Sequence, residues 1–478
     1  MTDVLRIISI AAPILEILGI VSACHAVLHA RTPQGAIAWA VSLISMPWFA
    51  LPAYWVLGRS RFQGYLIARR DGTSQIQKRV VAGLKNFDQE FGAPLQGESK
   101  RFEVLESLAM LPFSRGNRIK VLVDGDETFE AIFRGIDAAQ EYLLVQYFIV
   151  HDDEIGKQFQ EKIIAKAKSG VKVLILYDEI GCHKLSNRYL QPLRDAGIQV
   201  SAFHSTKGRR NRFQLNFRNH RKIVIADGKL GYVGGLNVGD EYLGRSERFG
   251  HWRDTHLEVE GPVVTCLQLA FAEDWLWATD HLLTELNWHS QTSHGHNQQA
   301  LVLPTGPADE LESCGLFFSH LIHSARERIW IASPYFVPDN DVVAALQLAA
   351  LRGVDVRVML PAMPDHKLVY WSSFTYIEES APFNVKFYRY QKGFLHQKTV
   401  LVDDDFAAVG TANLDNRSFR LNFEITVASP DEAFVSDVAE MLTRDFVECR
   451  QVTEKDHKDK GLLFRLRNKF ARLSAPIQ

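Results

Sequence analysis

At 478 residues, with 54 basic against 56 acidic side chains, the chain is long enough for two or three domains with substantial cores. Its balanced charge argues against a dedicated nucleic-acid binder, which usually carries a basic excess. The five cysteines (Cys24, Cys182, Cys266, Cys314 and Cys449) are odd in number, scattered and without a CxxC pair, which argues against a disulfide framework or zinc site and fits a reducing compartment.

The N-terminal run VLRIISIAAPILEILGIVSACHAVL is apolar apart from Arg6 and Glu16, and Thr32 to Gly58 carries no charge. Each run is long enough for a hydrocarbon core of roughly 30 Å, and Trp48, Tyr54 and Trp55 suit an interface. A second apolar run so close behind the first argues against a cleaved signal peptide. The expectation over residues 1–60 is a two-helix transmembrane hairpin. Beyond it come Arg59, Arg61, Arg69, Arg70, Lys78 and Arg79, against Arg31 alone in the connecting loop, which places the rest of the chain in the cytoplasm. Residues 61–118 read as a polar, juxtamembrane linker.

From there the pattern is α/β. RIKVLV reads as a strand, TFEAIFRGIDAA as an amphipathic helix and YLLVQYFIV as a buried strand. IGKQFQEKIIAKAKSG reads as a helix closed by Gly170, and VKVLILYD as a further strand. The second half replays this order: FFSHLIHSARERIWIASPYFVPD parallels FRGIDAAQEYLLVQYFIVHDD, matching Tyr147-Phe148 with Tyr335-Phe336. The reading is two repeated domains, 119–287 and 297–450, joined by the polar stretch NWHSQTSHGHNQQ, with a tail over 451–478.

Each unit carries the same constellation. NHRKIVIADGKLGYVGGLN holds His220, Lys222, Asp227 and Asn237; LHQKTVLVDDDFAAVGTAN holds His396, Lys398, Asp403 and Asn413 at the same spacings. In a strand, residues two apart share a face, so each histidine is expected beside its lysine. Two imidazoles, two ammoniums and two carboxamides in one cleft suit a phosphodiester. The lysines and asparagines stabilise charge on the non-bridging oxygens, one histidine attacks phosphorus and the other moves protons.

Both motifs resemble the paired HKD motifs of the phospholipase D superfamily. The flanks NHRKIVIADGKLGYVGGLNVGDEYL, WRDTHLEVEGP, PYFVPD and GTANLDNRSFRLNFE, with the N-terminal hairpin, resemble the bacterial cardiolipin synthase family from the hairpin to about residue 450. The resemblance implies a mixed sheet flanked by helices in each domain, pseudo-twofold symmetry and a site at the domain interface. It also implies no metal or other cofactor, and location at the bacterial inner membrane. The implied reaction joins two phosphatidylglycerol molecules into cardiolipin and releases glycerol, with His220 as nucleophile and His396 as acid and base, an assignment that the symmetry of the motifs also permits in reverse. Asp227 and Asp403 close the motifs as anchors. A downstream acid orients each histidine in this superfamily. Glu424 matches that place in the second half, whereas in the first His256 stands there, with Asp254 two residues before it. A hydrolytic phospholipase D and a nucleic-acid phosphodiesterase are the competing readings.

Two further stretches attract attention. KGRRNRFQLNFRNHR places Lys207, Arg209, Arg210, Arg212, Arg218 and Arg221 before the first motif, as a solvated basic loop or a surface for anionic headgroups. The tail KGLLFRLRNKFARL reads as a basic amphipathic helix that lies on the membrane or packs against the catalytic body.

Overall fold

The computed structural model describes residues 2–30, 32–58, 65, 87–204, 216–456 and 460–478. Helix α1 (Thr2–His29) is continuous, and its stretch Ala11–His29 is long and apolar enough to cross a membrane. The uncharged run that follows is not one span. It breaks at Met46 into α2 (Pro33–Ser45) and α3 (Pro47–Leu57). Pro47 has no N–H to continue the ladder and pushes Met46 out of helical geometry, to φ −139° and ψ 57°.

The chain then doubles back. Trp39 of α2 meets Tyr54 of α3 at a ring separation of 5.2 Å, the Tyr54 hydroxyl lies 2.6 Å from His25 Nδ1, and Trp55 Nε1 donates to Ser22 Oγ at 3.2 Å. At 1.5 Å per residue, α2 and α3 are roughly 20 and 16 Å long, each short of a bilayer core. One long helix and a folded-back pair therefore stand where a two-helix hairpin was expected, because a count of apolar residues does not register the turn that one proline imposes. The basic residues used to orient the chain (Arg59, Arg61, Arg69, Arg70, Lys78 and Arg79) and Arg31 lie outside the described residues.

The first half contributes β1 (Ser114–Val123), β2 (Tyr142–Tyr147), β3 (Lys172–Asp178), β4 (Gln199–Phe203), β5 (Arg218–Asn219), β6 (Ile223–Ala226), β7 (Leu230–Gly234), β8 (His251–Arg253) and β9 (Thr255–Glu260). The second contributes β10 (Gln298–Thr305), β11 (Arg328–Ala332), β12 (Phe336–Val337), β13 (Asp355–Pro361), β14 (Lys386–Tyr390), β15 (Gly393–Leu395), β16 (Thr399–Val402), β17 (Phe406–Gly410), β18 (Leu414–Asp415), β19 (Asn422–Ser429) and β20 (Cys449–Gln451).

One mixed sheet runs through both halves, joined where β1 pairs antiparallel with β10. Outward from that seam the order repeats. An antiparallel meander (β9-β7-β6; β19-β17-β16) is followed by three parallel strands (β2-β3-β4; β11-β13-β14). Parallel neighbours need crossovers. The helices Glu154–Lys168 and Asn187–Asp195 supply them in the first half, and Asn340–Leu351 and Lys367–Ser380 in the second. Covered on both faces, β2 is buried at every position, the polar Gln146 included, whose Nε2 donates to Asp274 Oδ2 at 2.8 Å. Each half ends in a long helix, Pro262–Thr279 or Glu432–Val447.

The core does not respect the repeat. One apolar cluster includes Ile119 and Leu257 of the first half with Leu303 and Leu442 of the second. Residues 87–113, expected within a polar linker, belong to it as well. Phe102 stacks on Phe406 with 4.0 Å between ring centres, and Phe87, Phe91, Leu95 and Leu105 are buried. Their irregular spacing hid this in the sequence, since they fill gaps rather than one face of a long element.

Candidate active site

Neither His-x-Lys segment lies within a strand, contrary to the expectation from residue spacing. His220–Lys222 occupies the break between β5 and β6, and His396–Lys398 the break between β15 and β16. Each short leading strand pairs with the opposite half. β5 runs parallel to β19 with Asn219 beside Phe423, and β15 runs parallel to β8 with Leu395 beside Arg253. Backbone bonds extend both ladders: the His220 N–H donates to the Phe423 carbonyl at 2.9 Å and the His396 N–H to the Arg253 carbonyl at 2.8 Å.

That register sets each histidine against an acid of the other half. His220 Nδ1 lies 2.8 Å from Glu424 Oε2, and His396 Nδ1 lies 2.7 Å from Asp254 Oδ2. The pairing is crossed. Glu424, expected beside His396, takes His220, and the first half's own Asp254 takes His396. His256, the remaining sequence candidate, hydrogen-bonds neither motif histidine, and its buried Nδ1 has no partner among the described residues. Burial pushes it down to about 3, with Asp254 opposing and Lys222 adding to the shift.

A carboxylate can only accept, so each Nδ1 carries the proton and each Nε2 keeps its lone pair. Burial drives both imidazoles from the ordinary 6.5 down to about 4, against the pull of Glu424 on His220 and of Asp254 on His396. At those values both are neutral at pH 7. The lysines fold back onto their own motifs. Lys222 Nζ donates to the His220 carbonyl at 2.7 Å; Lys398 Nζ donates to the His396 carbonyl and lies 2.9 Å from His396 Nδ1. Burial lowers Lys222 well below its usual range and Lys398 to about 8. Burial alone would raise both acids, but Lys398 and His396 hold Asp254 low, and His220 and Lys222 do the same for Glu424.

The two clusters share one space. Lys398 contributes to depressing His220, and Lys222 to depressing His396. The Tyr242 hydroxyl accepts from Asn237 Nδ2 at 2.9 Å while its ring centre sits 6.3 Å from that of His396, linking the first motif to the second. Asn237 Oδ1 accepts from the Ile149 N–H, whereas the buried Asn413 Oδ1 has no partner among the described residues. Aromatic walls close the sides: Phe148 is edge-on to His220 at 4.9 Å, and Trp252 lies 5.1 Å from His396.

Asp227 and Asp403 are not part of this gathering. Both sit at the far end of the β6–β7 or β16–β17 hairpin with positive φ, 55° and 50°. The Asp227 carboxylate accepts the N–H groups of Gln140, Glu141 and Tyr142, and that of Asp403 those of Arg326, Glu327 and Arg328. They clamp the entry of β2 and β11. Lys207, Arg209, Arg210 and Arg212 lie outside the described residues. Arg221, expected on a headgroup surface, is instead buried, with its Nη1 2.9 Å from Asp274 Oδ2. Tyr147 is a core residue edge-on to Phe159, while Tyr335 donates to Asp365.

Several supporting residues escaped the sequence reading. Thr411 Oγ and Ser418 Oγ donate to Glu424 at 2.6 and 2.8 Å, and Asn422 Nδ2 at 3.1 Å. The residue between histidine and lysine is tethered in each motif to an aspartate of the long helix that ends its half: Arg221 to Asp274, and Gln397 Nε2 to Asp445 Oδ2 at 2.8 Å. A visible signal existed, an acid set among apolar residues in AFAEDWLWA and MLTRDFVE.

A sheet of two like-ordered halves, with a His-x-Lys segment from each meeting across the seam, is the build of a phospholipase D-like protein. The crystal structure of phosphatidylserine synthase from Haemophilus influenzae Rd KW20 shares this fold: it aligns over 80% of this chain and 100% of its own at TM-score 0.59, with 15% identity. The family described as cardiolipin synthase, PLD-like domain, matches twice, at residues 132–261 and 318–446. Cardiolipin synthase A of Pseudomonas entomophila (strain L48) is 48% identical over 467 residues, 97% of each chain. That of Pseudomonas aeruginosa (strain LESB58) is 49% identical over 465 residues, 97% of this chain and 94% of its own. The chain belongs to the bacterial cardiolipin synthase family.

Proposed function

We propose that the chain is a membrane-anchored phosphatidyltransferase that makes cardiolipin and glycerol from two phosphatidylglycerol molecules. His220 Nε2 attacks the phosphorus of the first lipid. The glycerol oxygen leaves with a proton from the imidazolium of His396, and a phosphatidyl-histidine remains. The terminal hydroxyl of a second phosphatidylglycerol then loses its proton to His396 and attacks the same phosphorus, releasing His220 and restoring both groups. Lys222, Lys398, Asn237 and Asn413 stabilise charge on the non-bridging oxygens. Burial keeps His396 neutral at pH 7, so the anionic substrate must raise its affinity for a proton before the first step.

The observation that carries this reading is the crossed pair of carboxylate–imidazole contacts, which holds two Nε2 lone pairs at one seam. The repeated strand order and equivalent registers of β5 and β15 support a pseudo-twofold axis through that seam, with repeats near 119–287 and 297–450. Anchoring is read from α1, and the basic residues that follow Gly58 in the sequence support a cytoplasmic location of the catalytic halves at the inner membrane. With α2 and α3 folded back, α1 makes the single crossing.

The test is incubation of purified protein with phosphatidylglycerol alone. Cardiolipin and glycerol in equal amounts are expected, and none from His220→Ala or His396→Ala. Predominant phosphatidic acid with acceptor lipid in excess would replace transfer by hydrolysis, and cleavage of single-stranded DNA would reopen the nucleic-acid reading.

A further inference from the structure

The tail helix Leu462–Arg472 is mounted with its amphipathic character reversed. Its protein side is Asn468 and Ala471, both buried, with Phe464 and Arg472 partly so. Against the helix Lys367–Ser380, Phe464 meets Phe374 at 5.2 Å between ring centres, Arg467 lies over Trp371 at 4.7 Å, and Arg472 pairs with Glu379 while covering Tyr376. Gln478 is fastened too: the Arg417 N–H, four residues beyond Asn413, donates to the Gln478 carbonyl at 2.6 Å. At 100° per residue, Leu462, Leu473, Leu466, Phe470 and Leu463 fall within an arc of about 100° opposite that docked side. All five face outward, 42 to 83% exposed. Arg465 and Lys469 border this stripe on one flank and Arg467 on the other.

A soluble surface helix turns its apolar stripe inward, so this arrangement needs an outer partner. We infer that this face is a docking surface for an anionic lipid bilayer, a second membrane contact of the catalytic body besides α1. Residues 461–478 hold four basic side chains and no acidic one. Pressing two such helices together would set like charges against each other, whereas anionic headgroups complement the flanks and the acyl region takes the leucines and phenylalanine. The same chain carries a membrane-length helix at its other end, which keeps a bilayer within reach.

The test uses the full chain with Cys24 and Cys449 replaced by serine, a nitroxide attached at Leu463→Cys or Phe470→Cys, and nanodiscs of phosphatidylcholine with a minority of phosphatidylglycerol. At both positions oxygen is expected to relax the label more than an aqueous nickel complex does. A label at Glu161→Cys, exposed on the body, should show the reverse. Aqueous behaviour at 463 and 470 overturns the inference, and so does spin broadening between copies, which would make the face a chain–chain contact.

A second arm rests on the proposed function. The paired variant Leu463→Glu/Phe470→Glu should lose about tenfold or more in turnover on bilayer phosphatidylglycerol, yet stay within about twofold on the same lipid in detergent micelles. Equal turnover on both overturns the inference and leaves the active-site reading intact. Failure of that reading would appear instead as undiminished activity in His220→Ala.

Discussion

Replacing Glu424 by glutamine removes one charge while keeping the shape of the group that orients His220. In the native site four donors converge on the carboxylate: His220 Nδ1 at 2.8 Å, Thr411 Oγ at 2.6 Å, Ser418 Oγ at 2.8 Å and Asn422 Nδ2 at 3.1 Å. An amide has one acceptor oxygen. If that oxygen keeps His220 and Thr411, the new NH2 opposes Asn422, and one buried donor goes unpaired at about 1–3 kcal/mol. If the amide turns, its NH2 faces His220 Nδ1, and the imidazole must move its proton to Nε2, the atom assigned to attack. In both orientations the anion that supports a cationic imidazole is gone. Loss of a comparable orienting carboxylate costs about 10⁴ in rate, or roughly 5 kcal/mol of barrier. The fold should survive, because the two hydroxyls can rotate to accept. The assay is rapid-quench measurement of labelled glycerol release, with nitrogen-15 imidazole shifts to read the tautomer and a melting curve to check folding. Turnover within tenfold of the parent, in a folded variant, would refute the claim that Glu424 sets the state of His220.

Other outcomes follow from the same geometry. Asp227→Ala strips three N–H groups at the entry of β2 of their acceptor, so it should lower the melting temperature and the yield of folded protein while the fraction that folds keeps its KM; a large rise in KM would instead place Asp227 at the substrate. His220 and His396 are held at about 4 when folded against 6.5 otherwise, so the unfolded chain takes up more protons between those values. Stability should be complete above about pH 6.5 and fall as the pH drops toward 4; a melting temperature unchanged over that window contradicts their burial as neutral groups. A reporter fused ahead of Met1 should read as periplasmic if α1 alone crosses, whereas a cytoplasmic reading restores two full spans.

The sequence displayed the paired motif residues more clearly than their partnerships. Spacing alone matched His220, Lys222 and Asn237 to His396, Lys398 and Asn413, because a repeated chemistry keeps its intervals. The α/β order was legible from runs such as YLLVQY and from helix stops such as Gly170, whose φ of 96° suits glycine. Crossing of the orienting acids was not. It depends on β5, two residues long, finding β19 some two hundred positions away, and no local pattern encodes such a partner. Similarly, Pro47 sits in a run whose hydropathy is uniformly high, and its effect is on direction rather than on polarity. The tail helix was recognisable as amphipathic, but only packing shows which face is turned outward.

The covalent, two-step transfer can be tested at phosphorus itself. Phosphatidylglycerol made chiral there by sulfur substitution would be converted to cardiolipin, and the configuration of the transferred phosphorus determined. Two successive in-line displacements, first by His220 and then by the acceptor hydroxyl, should return the original configuration. Inversion would mean that the second lipid attacks directly, with neither imidazole ever bonded to phosphorus.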